Sequence, residues 1–194
     1  MVDLLLASAS IRRKELLDQI GVHYQSASMD IDESVHEGET ANEYVLRMAK
    51  EKALAGINVA PNMLVLAADT TVVISGKILG KPDNPELARD MLKHLSGKPH
   101  QVLTAIAIAK KILGEVKIES QVVTTDVYFS ELTEQQIEQY VSSGEPMDKA
   151  GAYGIQSKAA LFVERIEGSY SNVVGLPLAE TGKLLERFDV PVWG

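Results

Sequence analysis

Cysteine is absent from the 194-residue chain, which removes disulfides, iron–sulfur clusters, thiolate zinc sites and cysteine nucleophiles together. Positive charge is scarce as well. Nineteen Lys and Arg stand against 27 Asp and Glu, a net charge of −8, whereas a general nucleic-acid binder would show a basic balance or a basic stripe. Long apolar runs are missing: Leu4–Ala7 and residues 105–109 are strand-length, so no membrane partner is expected. Near the N-terminus Asp3 stands where a secretory signal would be basic, and the apolar run that follows is too short for one. With no cysteine, the expected compartment is the cytoplasm. The four histidines, His23, His36, His94 and His100, have no H-E-x-x-H spacing. A G-x-x-x-x-G-K-S/T loop, a G-x-G-x-x-G turn after a strand and a G-x-S-x-G elbow are all lacking.

What is present is an ordinary globular composition, 45% hydrophobic and 24% charged. The length suits one domain or two small lobes sharing a core, and a chain of this size buries roughly 70% of its unfolded surface without help from metal or disulfide. Residues 4–7 read as a buried strand, broken by Ser8 and Ser10. A helix then begins near Ile11, with Leu16, Leu17 and Ile20 on its period and Gly21 placed to end it. Residues 30–43 hold Asp30, Asp32, Glu33, Glu37, Glu39 and Glu43 with no Lys or Arg, which predicts a loop running into a helix. Thr40 and Glu43 form a capping box at that helix start, and Tyr44, Val45, Met48 and Ala49 its apolar face. Residues 64–68 and 71–74 read as two halves of one apolar, β-branched stretch interrupted by Asp69 and Thr70, with a turn at Ser75-Gly76. Asn84-Pro85 predicts a capped helix, closed by Gly97. Long strands are expected over 102–109 and 116–129, a second capping box at Thr133 and Gln136, a strand over 161–166 and a last helix opened by Pro177. Interleaved strands and helices predict an α/β fold, and the hairpin signals at Gly76, Gly114 and Gly168 make its sheet mixed.

Four features could carry chemistry. Arg12 and Arg13 fall in the first turn of a helix, where positive charge opposes the macrodipole by about 0.3 kcal/mol or more each. Either an anion sits there or both side chains are simply solvated. Lys52 continues the apolar face set by Val45 and Met48, so it either snorkels outward or points into a polar cavity. Asp69 interrupts what reads as a central strand; a buried carboxylate there needs a cation, a metal or a set of donors, unless it is a strand-end residue capped by amides. Asp32 and Glu33 belong to an acidic run of a kind that is usually just solvated, though hard divalent ions also want such oxygens. Separated cations and carboxylates in an acidic protein suit a small anionic ligand bridged by a metal.

The motifs, taken in order, resemble the Maf family of nucleoside triphosphate pyrophosphatases. Ala7-Ser8-Ala9-Ser10-Ile11-Arg12-Arg13, Asp32-Glu33, Arg47 through Lys52 with Ala53, Ala68-Asp69-Thr70 and Gly80-Lys81-Pro82 carry the likeness. So do Asp148 through Gln156, which includes Ala152-Tyr153-Gly154-Ile155-Gln156, and Val174-Gly175-Leu176-Pro177. Ile11 departs from the pattern, many members carrying proline there. The resemblance spans residues 4–188 and implies a single domain over 1–194, an elongated mixed sheet with flanking helices and two lobes around a central cleft, related to inosine triphosphate pyrophosphatases.

The resemblance also implies the chemistry: hydrolysis of the α–β phosphoanhydride to a monophosphate and pyrophosphate, with Mg²⁺ or Mn²⁺. Asp69 corresponds to the catalytic proton acceptor and to a metal position, and Glu33 to a metal-linked acid. Arg13, Lys52 and Lys81 correspond to phosphate-binding positions, Ser8 to a substrate-binding one, and Arg12, Thr70 and Gln156 to those tied to substrate choice. Asp69 either takes the proton of the attacking water or holds a metal that acidifies it; an ordinary Asp, with a pKa of about 3.9, is a weak base, which favours the second. Thr70 and the intact Ala152–Gln156 stretch resemble the members that prefer dTTP and UTP rather than 7-methylguanosine triphosphate, with modified pyrimidine triphosphates as further candidates. A Gln156 amide can match the O4 and N3–H edge of thymine and uracil, and CTP should be the poorer pyrimidine. The expected partners are the triphosphate and a second copy of the chain in a homodimer. The rival is a non-catalytic nucleotide-binding regulator of cell division, since the family is associated with arrest of septum formation. A Nudix hydrolase would need R-E-x-x-E-E, which is lacking.

Overall fold

The computed structural model describes residues 3–193. Seven strands alternate with helices: β1 (Leu4–Ala7), α1 (Ile11–Gln19), β2 (Gln25–Ala27), α2 (Ala41–Val59), β3 (Leu64–Ile74), β4 (Lys77–Leu79) and α3 (Pro85–Leu95). There follow β5 (Pro99–Ile112), β6 (Glu115–Phe129), α4 (Glu134–Ser142), three 3₁₀ turns, β7 (Val163–Glu167), α5 (Tyr170–Val174) and α6 (Leu178–Glu186). The strands form one sheet in the order β2-β1-β3-β5-β6-β7, with β4 paired to β3. β1 runs parallel to β2 and β3, while β3–β4 and β6–β7 are antiparallel, so the fold is mixed α/β. Among the described residues no helix is long and apolar enough to cross a membrane.

The chain divides into two compact units. One comprises the chain to Asp69, Thr104–Val123 and the chain from Gly175; the other comprises Thr70–Leu103 and Thr124–Val174. In the first, Leu4, Leu6, Leu17, Met48, Leu64, Leu66, Leu176 and Leu185 have almost no exposed surface. Gly56 lets α2 come close to the strands beneath it: a Cβ there would lie 2.5 Å from Val65 Cγ1 and 3.3 Å from the Ala7 Cβ. Any larger residue would lift the helix, and Lys52 lies one turn earlier on it.

The second unit has its own core, in which Leu92, Leu95, Phe129, Tyr140, Tyr153 and Phe162 pack together. Helix ends follow the capping chemistry of the sequence. Thr40–Glu43 and Thr133–Gln136 both close reciprocal boxes, and Asn84 accepts from the Leu87 amide ahead of Pro85.

Three local differences from the sequence expectation have physical causes. β3 runs unbroken through Asp69 and Thr70, because a polar residue does not interrupt a strand when its side chain finds a partner. Residues 158–162 form a 3₁₀ turn rather than the start of a strand, leaving Leu161 84% exposed, and β7 begins at Val163. Strand β2, with two of its three residues exposed, carries no hydrophobic alternation to betray it.

Candidate active site

The first unit places a corner of polar groups where β1 gives way to α1. Ser8 is buried, and its Oγ accepts from the Ser10 amide at 3.2 Å and from Arg13 Nη1 at 3.2 Å. Ser10 caps α1, accepting from the Arg13 amide at 3.4 Å. Arg13 also donates through Nε to the Gly175 carbonyl at 2.8 Å, tying the start of α1 to the segment ahead of α6. Burial pulls the Arg13 pKa below its ordinary value; the charge of Asp69 opposes the shift, Arg12 adds to it, and Glu33 opposes it again. Arg13 is therefore a desolvated cation facing carboxylates, with a second cation at its side. Arg12 is partly buried at the same helix start, and α1 has no acidic residue in its first turn to balance the pair.

Asp69 lies in β3 and is only 8% exposed. Its Oδ1 receives Lys52 Nζ at 2.7 Å, and the same ammonium lies 2.7 Å from Glu33 Oε1. Lys52 is itself 11% exposed, so it does not snorkel to the surface; it joins two carboxylates, one from a strand and one from a loop. A buried Asp is tolerable in the strand because this charge-assisted pair replaces its hydration.

The acidic loop is exposed, yet hydrogen bonds tie it down. Asp32 Oδ1 accepts from the Ser34 amide at 2.9 Å, an Asx turn just beside Glu33. Tyr44, on α2, donates its hydroxyl to the Glu33 carbonyl at 3.0 Å. Burial, then the charges of Asp69 and Glu33, push the Tyr44 phenol up to about 12, so it stays a donor. Arg47 grips Glu39 through Nε and Nη2, both at 2.7 Å, and gives Nη2 to the Ser34 carbonyl at 2.8 Å. That guanidinium holds the Glu39 carboxyl down at about 2. Glu43 is spent on the helix cap.

Thr70, Lys81 and Gln156 belong to the second unit. Thr70 follows Asp69 in β3 and is partly buried; Lys81 and Gln156 are exposed. The Gly80 carbonyl accepts from the Gly151 amide at 3.0 Å, joining the Lys81 segment to the stretch that carries Gln156. Gly151 and Ala152 both have positive φ, 67° and 61°, a bend that suits Gly151 because a Cβ would meet Val72 at 2.8 Å. Beyond it, Tyr153 is buried with its hydroxyl 2.7 Å from His100 Nε2. Desolvation lowers the His100 pKa to about 4, keeping the ring neutral. On either side of Gln156, the Gly154 amide donates to the Tyr140 hydroxyl at 3.3 Å and Ser157 Oγ donates to Glu145 at 3.0 Å. Tyr140 donates to the same carboxylate at 3.1 Å, so Glu145 braces the loop from both ends.

Of the residues singled out in the sequence, Ser8 and Arg13 are joined directly, as are Glu33, Lys52 and Asp69. The reading of the sequence missed Tyr44, Arg47 and Glu39, which hold the loop, and Glu145 and His100, which hold the Gln156 stretch. Arg47 did stand within a quoted motif. Nothing in its spacing says that it reaches back over the loop.

Desolvated cations beside paired acids, on a mixed α/β sheet, have the chemistry to hold a small polyanion. The chain's family is now defined. A family model described as Maf-like protein matches residues 3–188, and the chain belongs to that family. It is 53% identical over 191 residues to the dTTP/UTP pyrophosphatase of Pseudoalteromonas atlantica, covering 96% of this chain and 97% of that protein. It is 50% identical over 188 residues to the dTTP/UTP pyrophosphatase of Chromobacterium violaceum, covering 94% and 93%. A solved nucleoside-triphosphatase, a dITP/XTP pyrophosphatase of Mycobacterium abscessus, is similar over 68% of this chain and 76% of its own at 16% identity and a TM-score of 0.39, a likeness too slight to argue from.

Proposed function

We propose that the chain, acting as one Maf-like domain over 1–194, is a nucleoside triphosphate pyrophosphatase that hydrolyses dTTP and UTP to the monophosphate and pyrophosphate. Full-length relatives about half identical to this chain support the activity and the pyrimidine choice. The observation that carries the site is the Lys52 ammonium, 2.7 Å from Asp69 and 2.7 Å from Glu33.

Two carboxylate oxygens from different elements converge on one cationic position. Mg²⁺ typically takes one or two carboxylates together with substrate phosphates, so Glu33 and Asp69 fit as its protein ligands. Among the described residues no group of three or more His, Cys, Asp or Glu gathers around one point, and the remaining ligands would come from phosphate oxygens and water. A bound divalent ion would neutralise phosphate charge and lower the pKa of a nearby water.

The chain's own groups do the rest. Arg13 and Lys52 supply fixed, desolvated positive charge for the triphosphate, with Arg12 at the α1 start and Ser8 orienting Arg13. The Lys52 ammonium has three N–H donors and spends two on carboxylates, so the third can meet a phosphate, and either carboxylate can turn to a metal without leaving the ammonium unpaired. Asp69, in a strand rather than a mobile loop, either takes the proton of the attacking water or would hold the metal that acidifies it, the weak basicity of an ordinary carboxylate favouring the second. Lys81 adds a further contact to the phosphate chain. Thr70, Arg12 and Gln156 choose the base, Gln156 by pairing its amide with the O4 and N3–H edge of uracil or thymine. The compartment proposed for the enzyme is the cytoplasm.

The test is incubation of the protein with dTTP, UTP, CTP and 7-methylguanosine triphosphate in Mg²⁺, with the products separated. Monophosphate and pyrophosphate, fastest from dTTP and UTP, are expected. Tight nucleotide binding without turnover would leave only a binding regulator, and a faster reaction with the methylated guanine would overturn the base assignment alone.

A further inference from the structure

We infer that Arg47 is a positioning residue: it sets the acidic loop on α2 so that Glu33 reaches the Lys52–Asp69 pair. The inference rests on the role proposed above for Glu33. Residues 28–40 contain no helix or strand, and residues 32–38 are exposed, so backbone hydrogen bonding within the loop does not explain its placement. Two side chains of α2 supply what the loop lacks. Tyr44 holds the Glu33 carbonyl at 3.0 Å, and Arg47 holds the next one, that of Ser34, at 2.8 Å. Consecutive carbonyls fixed from one helix leave the Glu33 backbone little freedom to rotate.

Arg47 does more than cap a carbonyl. Its fork engages Glu39 at 2.7 Å twice, at the far end of the same loop, while Glu39 in turn accepts from the His36 amide at 3.0 Å. The guanidinium therefore spans residues 34 to 39, and Glu51 lies 3.6 Å away on the helix itself. A lysine cannot make these contacts together, because only the planar guanidinium presents several donors in fixed directions. Lys52 starts five residues further along the same helix, so one rigid element carries both the loop's clamp and the cation that Glu33 meets.

The test is a double-mutant cycle read in kcat/KM and in the Mg²⁺ concentration needed for half-maximal rate. Glu33→Gln alone should lower kcat/KM by about tenfold or more, and a Glu33→Gln enzyme as active as the wild type would refute the reading of Glu33 itself. Given that loss, Arg47→Met should cost about tenfold with Glu33 present, the scale expected of a misplaced catalytic group, and raise the Mg²⁺ requirement. In the Glu33→Gln background it should cost less than about twofold, because the residue being positioned is already disabled. Equal losses in both backgrounds, or no loss in either, would overturn the role of Arg47 while leaving that of Glu33 intact. Should Arg47→Met not fold, Glu39→Gln weakens the same clamp from the other side and must show the same dependence on Glu33.

Discussion

The two units of the molecule hold the residues proposed for the site by different physics. In the first, Arg13, Lys52, Glu33 and Asp69 are ions that stabilise one another, with Arg47 and Glu39 as an ionic clamp behind them. In the second, the stretch bearing Gln156 is braced by hydrogen bonds of uncharged side chains: Tyr153 with the buried His100, and Tyr140 and Ser157 donating to a single carboxylate, Glu145. The difference suits two tasks. In the proposed function, ions that compensate one another would exchange partners when a charged substrate arrives, whereas a network of directional hydrogen bonds would hold a shape against which a base edge is compared.

Substitutions should separate the two. The largest effect is expected from Asp69→Asn, which keeps the packing of β3 and removes the charge: turnover should fall by at least about two orders of magnitude with little change in Tm, checked by pyrophosphate release and calorimetry. Lys52→Ala should follow, with a loss on the order of tenfold shared by every triphosphate, because it acts on the phosphate chain. A lowered Tm with unchanged kinetics would instead make Lys52 a structural residue. In the second unit, Glu145→Gln should leave turnover of UTP within about twofold yet lower the UTP over CTP preference by a few-fold, roughly the scale of a loosened hydrogen-bonding edge. If it slowed both substrates equally, the contrast between the units would be wrong.

A last effect concerns pH and stability rather than turnover. His100 has its folded pKa depressed to about 4 by burial, against an ordinary 6.5. The unfolded chain therefore binds more protons between those values, so this stabilisation is complete above pH 6.5 and is lost as pH falls toward 4. The slope is at most about 1.4 kcal/mol per pH unit. His100→Gln should flatten Tm against pH between 6.5 and 4.5. The Glu39 carboxyl, at about 2, is still charged in the fold throughout that window.

Much of this was legible where local rules dominate. The reciprocal caps at Thr40 and Thr133, the Asn84-Pro85 helix start and the turn at Ser75-Gly76 depend on a few neighbouring residues, and the structure follows them. Asp69 was conspicuous because a carboxylate in an apolar strand demands a partner. That the partner is Lys52, and that Glu33 shares it, required knowing how α2 lies on the sheet, which rests on the space left by Gly56. The acidic loop was illegible for the same reason. Its anchors, Tyr44 and Arg47, act across sequence separations of 11 and 13 residues, and a tyrosine at a helical apolar position gives no sign that its hydroxyl holds a backbone carbonyl. The His100–Tyr153 contact spans 53 residues and was hidden in the same way.

The function proposed for this charged corner is cleavage of a triphosphate between its α and β phosphorus atoms. The most direct measurement is phosphorus NMR of UTP turned over by the wild-type protein in Mg²⁺, followed in parallel with Asp69→Asn. Uridine monophosphate and pyrophosphate should grow together in equal amounts with the wild type and stay near background with the variant. Uridine diphosphate and inorganic phosphate, or equal rates for the two proteins, would contradict it.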